Sequence, residues 1–410
     1  MTSHASSAEG PIVVFEAFHG GHYSNYLEAI VAFAEVESGL PSIVLVVSAE
    51  NLRSREWAEQ IGPKVDSVTV DASIPPLPHA IPLTLDVAGL KEYLSALRTL
   101  WTSFLSAIER HQPSRVVVPS ADPLTTAAQL FMSRRQQALL ASVQTIAVHH
   151  SGYTSNPVGA SEHIKDRIYR RGWRRAPWSR LLMVNPMQIS ALATREPALS
   201  VGLCPDPVPD LVPYGRAHAA AVLGLDPSLT WFGFIGAMRE RAAIPELVDG
   251  FLNAALPRDA MLLLAGTAEE HGDWLRTQLT HPEIARRIAH IDRHLSFEEL
   301  SAAYALCDVV TPLYRKTHTL SANLMKAIKA GKPTVVSPSG FSRYMWQRFP
   351  IGVIFDGTDP GVFARALEFT PPADSTDVRR LVEFHQPNNF AATLLTVGGS
   401  RVPSPYSGVG

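Results

Sequence analysis

Along this chain, short apolar runs rich in β-branched residues alternate with longer amphipathic stretches, and no other feature restricts the fold so much. Runs of this kind read as strands covered on both faces, and the stretches between them as crossover helices, which together build a parallel sheet. In the first half the runs are Ile12 to Phe15, Ser42 to Val47, Val65 to Val70, Arg115 to Pro119, Gln144 to His149 and Leu181 to Val184, with helical patterns at Tyr26 to Glu37 and Leu90 to Arg110. The second half repeats the plan. Its runs are Thr230 to Ile235, Ala260 to Ala265, Ile288 to Ile291, Val309 to Pro312, Thr334 to Ser337 and Gly352 to Phe355, and its helical patterns Ile244 to Leu256, Ser296 to Ala305 and Ser321 to Ala330. The expected fold class is α/β, with two doubly wound, Rossmann-like domains.

The stretch from Leu203 to Pro213 separates the halves. Its four prolines cannot continue a helix or a central strand and favour an extended connector. The expected domains are residues 1–204, residues 205–375, and a tail, 376–410, with a helix at Asp377 to Phe384 that packs back toward the first domain. The length of 410 residues fits two large domains. Functional loops in such sheets lie at the carboxyl ends of the strands, so two facing edges would place the site in a cleft between the domains.

A net charge of -2 excludes a polybasic nucleic-acid binder. Cys204 and Cys307 are the two cysteines and form no spaced motif, which argues against a disulfide framework or a cysteine-based zinc site and for a reducing compartment. The start MTSHASSAEGP lacks the features of a secretory signal, and no long apolar run appears. The expected location is cytoplasmic, peripheral at a membrane if a membrane matters.

Chemistry in the second half begins at Gly236-Ala-Met-Arg239-Glu-Arg241, a glycine turn with two arginines between a strand and a helix. Guanidinium forks match phosphate oxygens, and a helix N-terminus adds amide donors, so this turn suits a diphosphate, though both arginines also fit a solvated loop. Thr319, Leu320 and Ser321 stand where a later helix begins, where hydroxyls and amides cap the helix or hold an anion.

The segments "FIGAMRERAAIPELVDGF", "MLLLAGTAEE", "LSFEELSAAYALCDVVTPLY" and "SANLMKAIKAGKPTVVSPSGF" occur in an order that resembles the carboxyl-terminal domain of GT-B glycosyltransferases, in particular the retaining glycosyltransferase family 4 group. The likeness covers residues 205 to 360 well and the first half more loosely. It implies two Rossmann-like domains facing across a cleft, a nucleotide-sugar donor on the second domain, a hydroxyl acceptor on the first, and no cofactor or bound metal. It makes Arg239 a donor-diphosphate group. Two departures stand out: the usual lysine three residues on is Ala242, leaving Arg241 to substitute, and the usual pair of glutamates reads His318 and Lys326. A lysine cannot accept hydrogen bonds from a ribose as a carboxylate does, but it can meet a further phosphate.

In the first half, "FHGGHYSNYL" follows the first strand. Gly20 and Gly21 would let a substrate approach the backbone closely. Their spacing does not fit the dinucleotide fingerprint, and His19 with His22 makes a weak metal motif, so both histidines are read as acceptor or loop contacts. Asp122 and His150 follow strands and so point to the same sheet edge. By the resemblance, His150 contacts the transferred sugar. His149, beside it, is read as a further acceptor or loop contact; a structural role for His149 or His150, and a helix-capping role for Asp122, remain open alternatives. Finally, Lys165 to Arg180 is a concentrated basic stretch interleaved with Tyr169, Trp173 and Trp178, which suits an anionic membrane surface or a phosphorylated acceptor, or else a solvated helix face.

The expected function is glycosyl transfer from a nucleotide-sugar, retaining and metal-independent, with His150 and Asp122 catalytic and with no nucleic-acid partner. The alternatives are a non-catalytic GT-B-like binding subunit, favoured by Ala242, His318 and Lys326, and a GT-B epimerase or sugar phosphorylase.

Overall fold

A computed structural model describes residues 10–77, 87–150, 160–176, 178–315, 320–372, 375–396 and 402–406. Thr319, with His318, lies outside the described residues. The chain divides into two compact units, Met1–Pro207 with Phe384–Gly410, and Val208–Glu383.

The first unit is built on seven parallel strands: β1 (Ile12–Glu16), β2 (Ile43–Ser48), β3 (Thr69–Ile74), β4 (Arg115–Val118), β5 (Gln144–His149), β6 (Arg180–Met183) and β7 (Val201–Leu203). Their order is β3-β2-β1-β4-β5-β6-β7. β1 carries the fully buried run Ile-Val-Val-Phe-Glu, as a central parallel strand must when helices cover both faces. The long helix Val87–His111 lays Leu97, Leu100, Trp101, Phe104 and Ile108 onto one face of the sheet. The helix Pro387–Leu395, from the end of the chain, packs on the first helix, His22–Val36, where the Phe390 ring lies over Tyr26 at 4.9 Å.

The second unit has six parallel strands: β8 (Thr230–Ile235), β9 (Ala260–Ala265), β10 (Ile288–Ile291), β11 (Val309–Val310), β12 (Thr334–Val336) and β13 (Gly352–Ile354). The order, β10-β9-β8-β11-β12-β13, repeats that of the first unit without a counterpart of β7. Phe232, Phe234, Leu262 and Leu264 feed one core, while Trp231, Ile235, Leu263 and Ala265 feed the other, which is the two-residue period of strands buried on both sides.

Two expectations about elements need correction. The strand expected at Val65 to Val70 begins at Thr69, because Gly62–Ser67 is a 3-10 turn opened by Pro63. β7, absent from the sequence reading, is a three-residue edge strand too short to show a period.

Candidate functional site

In each sheet the strand order reverses once, between β1 and β4 and between β8 and β11. Loops leaving the carboxyl ends of strands at such a reversal form the crevice where doubly wound folds take ligands. His19, Gly20, Gly21, His22 and Asp122 in the first unit, and Arg239, Arg241, Leu320, Ser321 and Lys326 in the second, fall on these loops or on the helices they start, while His150 follows the neighbouring β5.

In the first unit, the loop after β1 turns into the helix His22–Val36 through Gly20 (φ 76°) and Gly21 (φ 55°, ψ −129°). A side chain disfavours both conformations. Nothing lies within 4 Å of where a Gly21 Cβ would stand, so backbone conformation rather than crowding demands the glycine. Gly21 offers the helix no side-chain cap. His19 is half-buried and His22 exposed, the His22 ring lying 4.0 Å from that of Tyr23 and 5.5 Å from that of His150.

Glu16, which the sequence reading passed over, ties this loop to the one after β4. Its buried carboxyl accepts from the Phe18 amide (3.0 Å) and from Ser120 Oγ (2.6 Å). Burial pushes its pKa up to about 8, although both donors pull the other way.

Asp122 is not the helix cap: the N-cap is Ala121, whose side chain makes no capping hydrogen bond. Asp122 is instead the first residue of the helix Asp122–Phe131, and its Oδ2 accepts from the His150 amide at 2.9 Å. Burial disfavours its charge, but the neighbouring rings, His149 foremost and then His150, together with the His150 amide, hold it well below the ordinary carboxylate range. His149 Nδ1 lies 3.4 Å from Asp122 Oδ1 and accepts from Trp173 Nε1 at 3.2 Å, so the direct hydrogen bond to the Asp122 carboxylate is the one from the His150 amide. A nitrogen accepting from an indole carries no proton, so the ring proton sits on Nε2, 2.9 Å from Thr125 Oγ1. His149, expected as a loop contact, is therefore a fully buried structural residue.

His150 is half-buried, and both ring nitrogens are engaged: Nε2 with the Pro119 carbonyl (2.8 Å) and Nδ1 with Tyr26 Oη (3.2 Å). A carbonyl only accepts, so Nε2 bears the proton and donates. Tyr26 Oη also lies 3.0 Å from Asp206 Oδ1, so its single proton is shared between two acceptors, His150 Nδ1 and the Asp206 carboxylate, and its ring stacks on His150 at 5.2 Å. A hydrogen bond from His150 to a sugar therefore requires one of these partners to be exchanged. Neither Tyr26 nor Asp206 carried a motif; they lie 180 positions apart and meet only in the fold.

In the second unit, Gly236 (φ 131°) and Gly266 (φ 140°) allow the loops after β8 and β9 to close against each other. A Cβ on Gly266 would stand 2.2 Å from the Gly236 carbonyl oxygen, and one on Gly236 2.7 Å from Asn323 Nδ2. Arg239 is exposed and pairs with Glu269 (Nε to Oε2, 3.0 Å). Arg241 is exposed, its guanidinium 5.5 Å over the Tyr314 ring, and makes no ion pair among the described residues. Ala242 is fully buried: it bridges to Tyr314, its amide donates to Arg239 O, and its carbonyl accepts from His271 Nε2. Arg315, missed in the sequence, braces the turn by a two-pronged pair with Glu246 (2.8 and 3.0 Å) and a bond to the Glu240 carbonyl (2.7 Å).

Ser321 is the N-cap of the helix Ala322–Lys329, its Oγ accepting from the Leu324 amide, while Leu320 is buried beside it. Lys326 is half-buried on that helix. The helix is locked to the arginine loop's neighbour, since Asn323 Nδ2 donates to Tyr314 Oη at 2.6 Å.

The basic stretch differs from expectation. It lies largely in the helix Ala160–Arg175, but Trp173 is buried against His149 and so serves no surface, while the half-buried Trp178 donates to Thr125 Oγ1. Arg170 and Arg174 are drawn to Glu196; Arg167, Arg171 and Arg175 are exposed. Among the described residues, no group of three or more His, Cys, Asp or Glu side chains is placed to hold a metal ion, and no helix is long and apolar enough to cross a membrane.

Residues 230–369 match the family described as "Glycosyl transferases group 1". No curated protein matches the sequence. Among solved structures, the chain is similar to sucrose-phosphate synthase from Thermosynechococcus elongatus (TM-score 0.61, 15% identity, 94% of this chain and 95% of that one). It is also similar to Anabaena Alr3699/HepE in complex with UDP-glucose (0.60, 11%, 94% and 96%). A third is WaaG, a glycosyltransferase involved in lipopolysaccharide biosynthesis (0.57, 12%, 94% and 100%). The two parallel-sheet units thus have the GT-B fold, and the match to the group 1 family falls within the second.

Proposed function

We propose that this protein transfers a sugar from a nucleotide-sugar donor to a hydroxyl acceptor, with retention of configuration and without a bound metal. The observation that carries the reading is the Arg239–Arg241 turn, which stands at the strand reversal of the unit containing the group 1 glycosyltransferase match. The main electrostatic demand of such a reaction is the charge of the departing diphosphate, and fixed guanidinium groups meet it without a cation. The solved Anabaena relative holds UDP-glucose, which supports a nucleotide-sugar as the donor class. In the first unit, the Gly20–Gly21 turn and the start of the helix His22–Val36 bring backbone amides to the candidate site, and His150, held by Asp122 and Tyr26, offers an imidazole to the sugar. The exposed Arg167, Arg171 and Arg175 are the candidates for contact with an anionic membrane surface.

The test is a panel of nucleoside diphosphates in a thermal-shift assay, followed by turnover of the corresponding nucleotide-sugars. No stabilisation of the folded protein by any of them would remove the reading. Retention is read from the anomeric configuration of the product by NMR, and metal independence from turnover in EDTA. Co-sedimentation with anionic vesicles, reversed by salt, checks the membrane contact.

A second reading, a non-catalytic nucleotide-binding protein, is favoured by Lys326 in place of a carboxylate and by the burial of Ala242 where a lysine is usual. It predicts stabilisation by a nucleoside diphosphate with no turnover of any sugar donor.

A further inference from the structure

We propose that Glu269 is a built-in competitor for the donor diphosphate: in the free protein its carboxylate occupies Arg239, and donor binding displaces it. The inference rests on Arg239 being a donor group, as proposed above.

Two consecutive carboxylates are engaged at one turn. Glu269 Oε2 lies 3.0 Å from Arg239 Nε, and Glu270 Oε2 accepts from the next residue's amide, Glu240 N, at 3.2 Å. A guanidinium and an adjacent backbone amide are the donor pair that phosphate oxygens take up at such turns, so the acidic pair fills the positions of an anionic ligand. Glu269 Oε1 also accepts from Thr267 Oγ1 at 3.2 Å, which aims the carboxylate.

The placement has a backbone cost. Glu269 has φ 37° and is one of two non-glycine residues with positive φ among the described residues. Such conformations persist where the surroundings impose them, and they gather at ligand clamps. The flanks are anchored independently of the carboxylate: the Ala268 amide donates to Asp292 Oδ1 at 2.8 Å, and His271 Nε2 donates to the Ala242 carbonyl at 3.0 Å. Glu269 can therefore leave Arg239 by a side-chain rotation, with the loop in place.

The pair is also weak enough to exchange. The Arg239 side chain is 58% exposed and that of Glu269 32%, with a single short contact, and an exposed ion pair of this kind holds little free energy. Arg315 on Glu246 is the contrast: it is two-pronged and also binds the Glu240 carbonyl, so it fixes the turn and does not act as an exchangeable partner.

The sign of one substitution separates a competitor from a brace. By isothermal titration in low salt against UDP, GDP and ADP, E269Q should bind the preferred nucleoside diphosphate about five-fold more tightly than the parent protein, the size of one unit-charge interaction at about 4 Å in water. The gain should shrink as salt rises, and E269Q should have no effect in an R239A background. E269A, which removes the Thr267 hydrogen bond as well, should move in the same direction. A carboxylate that merely positions Arg239 would give weaker binding in both variants, and equal or weaker binding by folded E269Q and E269A overturns the competitor while leaving the nucleotide reading intact. If neither the parent nor the variants bind any nucleoside diphosphate, both readings fall. Binding by the variants alone supports the competitor in its strongest form.

Discussion

At the scale of single residues, the two units place opposite demands on charge. Arg239 and Arg241 are solvent-facing cations, and R239A is expected to weaken nucleoside diphosphate binding by more than about tenfold, measured by titration calorimetry. Glu16 is the reverse case, a carboxyl buried beside Ser120 whose pKa rises from 4.5 to about 8. Between those values the folded protein keeps a proton that the unfolded chain has released. The associated stability is present in full below 4.5 and is lost as pH rises to about 8. E16Q, which stays neutral, should flatten the decline in melting temperature between about pH 5 and about pH 8 without abolishing folding. Asp122 acts with the other sign: its lowered pKa gives stability above the ordinary carboxylate range that disappears on acidification. D122N should thus narrow the loss of stability at acid pH, at the cost of weaker acceptance from the His150 amide. Melting curves of the two variants across pH separate the two limbs.

At the scale of elements, legibility followed locality. β5, β8 and β9 have the ends their apolar runs imply, because a strand buried on both faces writes itself as a continuous run, and the edge strand β10 also keeps its expected ends. β3 did not, because it carries Asp71 and Ser73 at the sheet edge, and its neighbouring valines sit partly in a 3-10 turn. The same division runs through the site. Gly20, Gly21, Arg239 and Arg241 stand out as local strings, whereas Glu16 needs Ser120, 104 positions away, and Tyr26 needs Asp206, 180 away, to acquire a role. The surface tryptophans misled for a related reason: spacing along a helix does not say which face is covered, and Trp173 turned to His149. Glycine substitutions expose the local logic. G266A places a Cβ against the Gly236 carbonyl in a strained conformation and should destabilise the second unit by about 3 kcal/mol or prevent its folding. G21A meets open space and should cost about 1–2 kcal/mol, from the backbone alone. Thermal melts of the two variants should rank them in that order.

At the scale of the whole molecule, the two units repeat one strand order but differ in how the chain closes them. The second is continuous from Val208 to Glu383, while the first takes in Phe384–Gly410 from the far end of the chain. That return segment supplies Phe390 against Tyr26, the Leu395 carbonyl for Arg115, and His385, whose Nδ1 meets the Asp206 amide and whose Nε2 meets Tyr406 Oη. Tyr26 is also the residue that engages His150, so the end of the chain supports the candidate sugar-contacting histidine through one shared ring. The units should therefore respond differently to truncation. A chain ending at residue 383 loses the cover over Tyr26, and exposing so much buried apolar surface at once, with Phe390, Leu394 and Leu395 gone, removes on the order of several kcal/mol from the first unit. The second unit loses none of its own strands or core. Calorimetry of the truncated chain should show the first unit's transition lowered or absent and the second's unchanged. Nucleoside diphosphate binding should persist, since Arg239, Arg241 and Ser321 all lie between residues 208 and 383. Loss of both transitions would show that the second unit depends on the first for its stability, and loss of binding with the second transition intact would place a required nucleotide contact in the first unit.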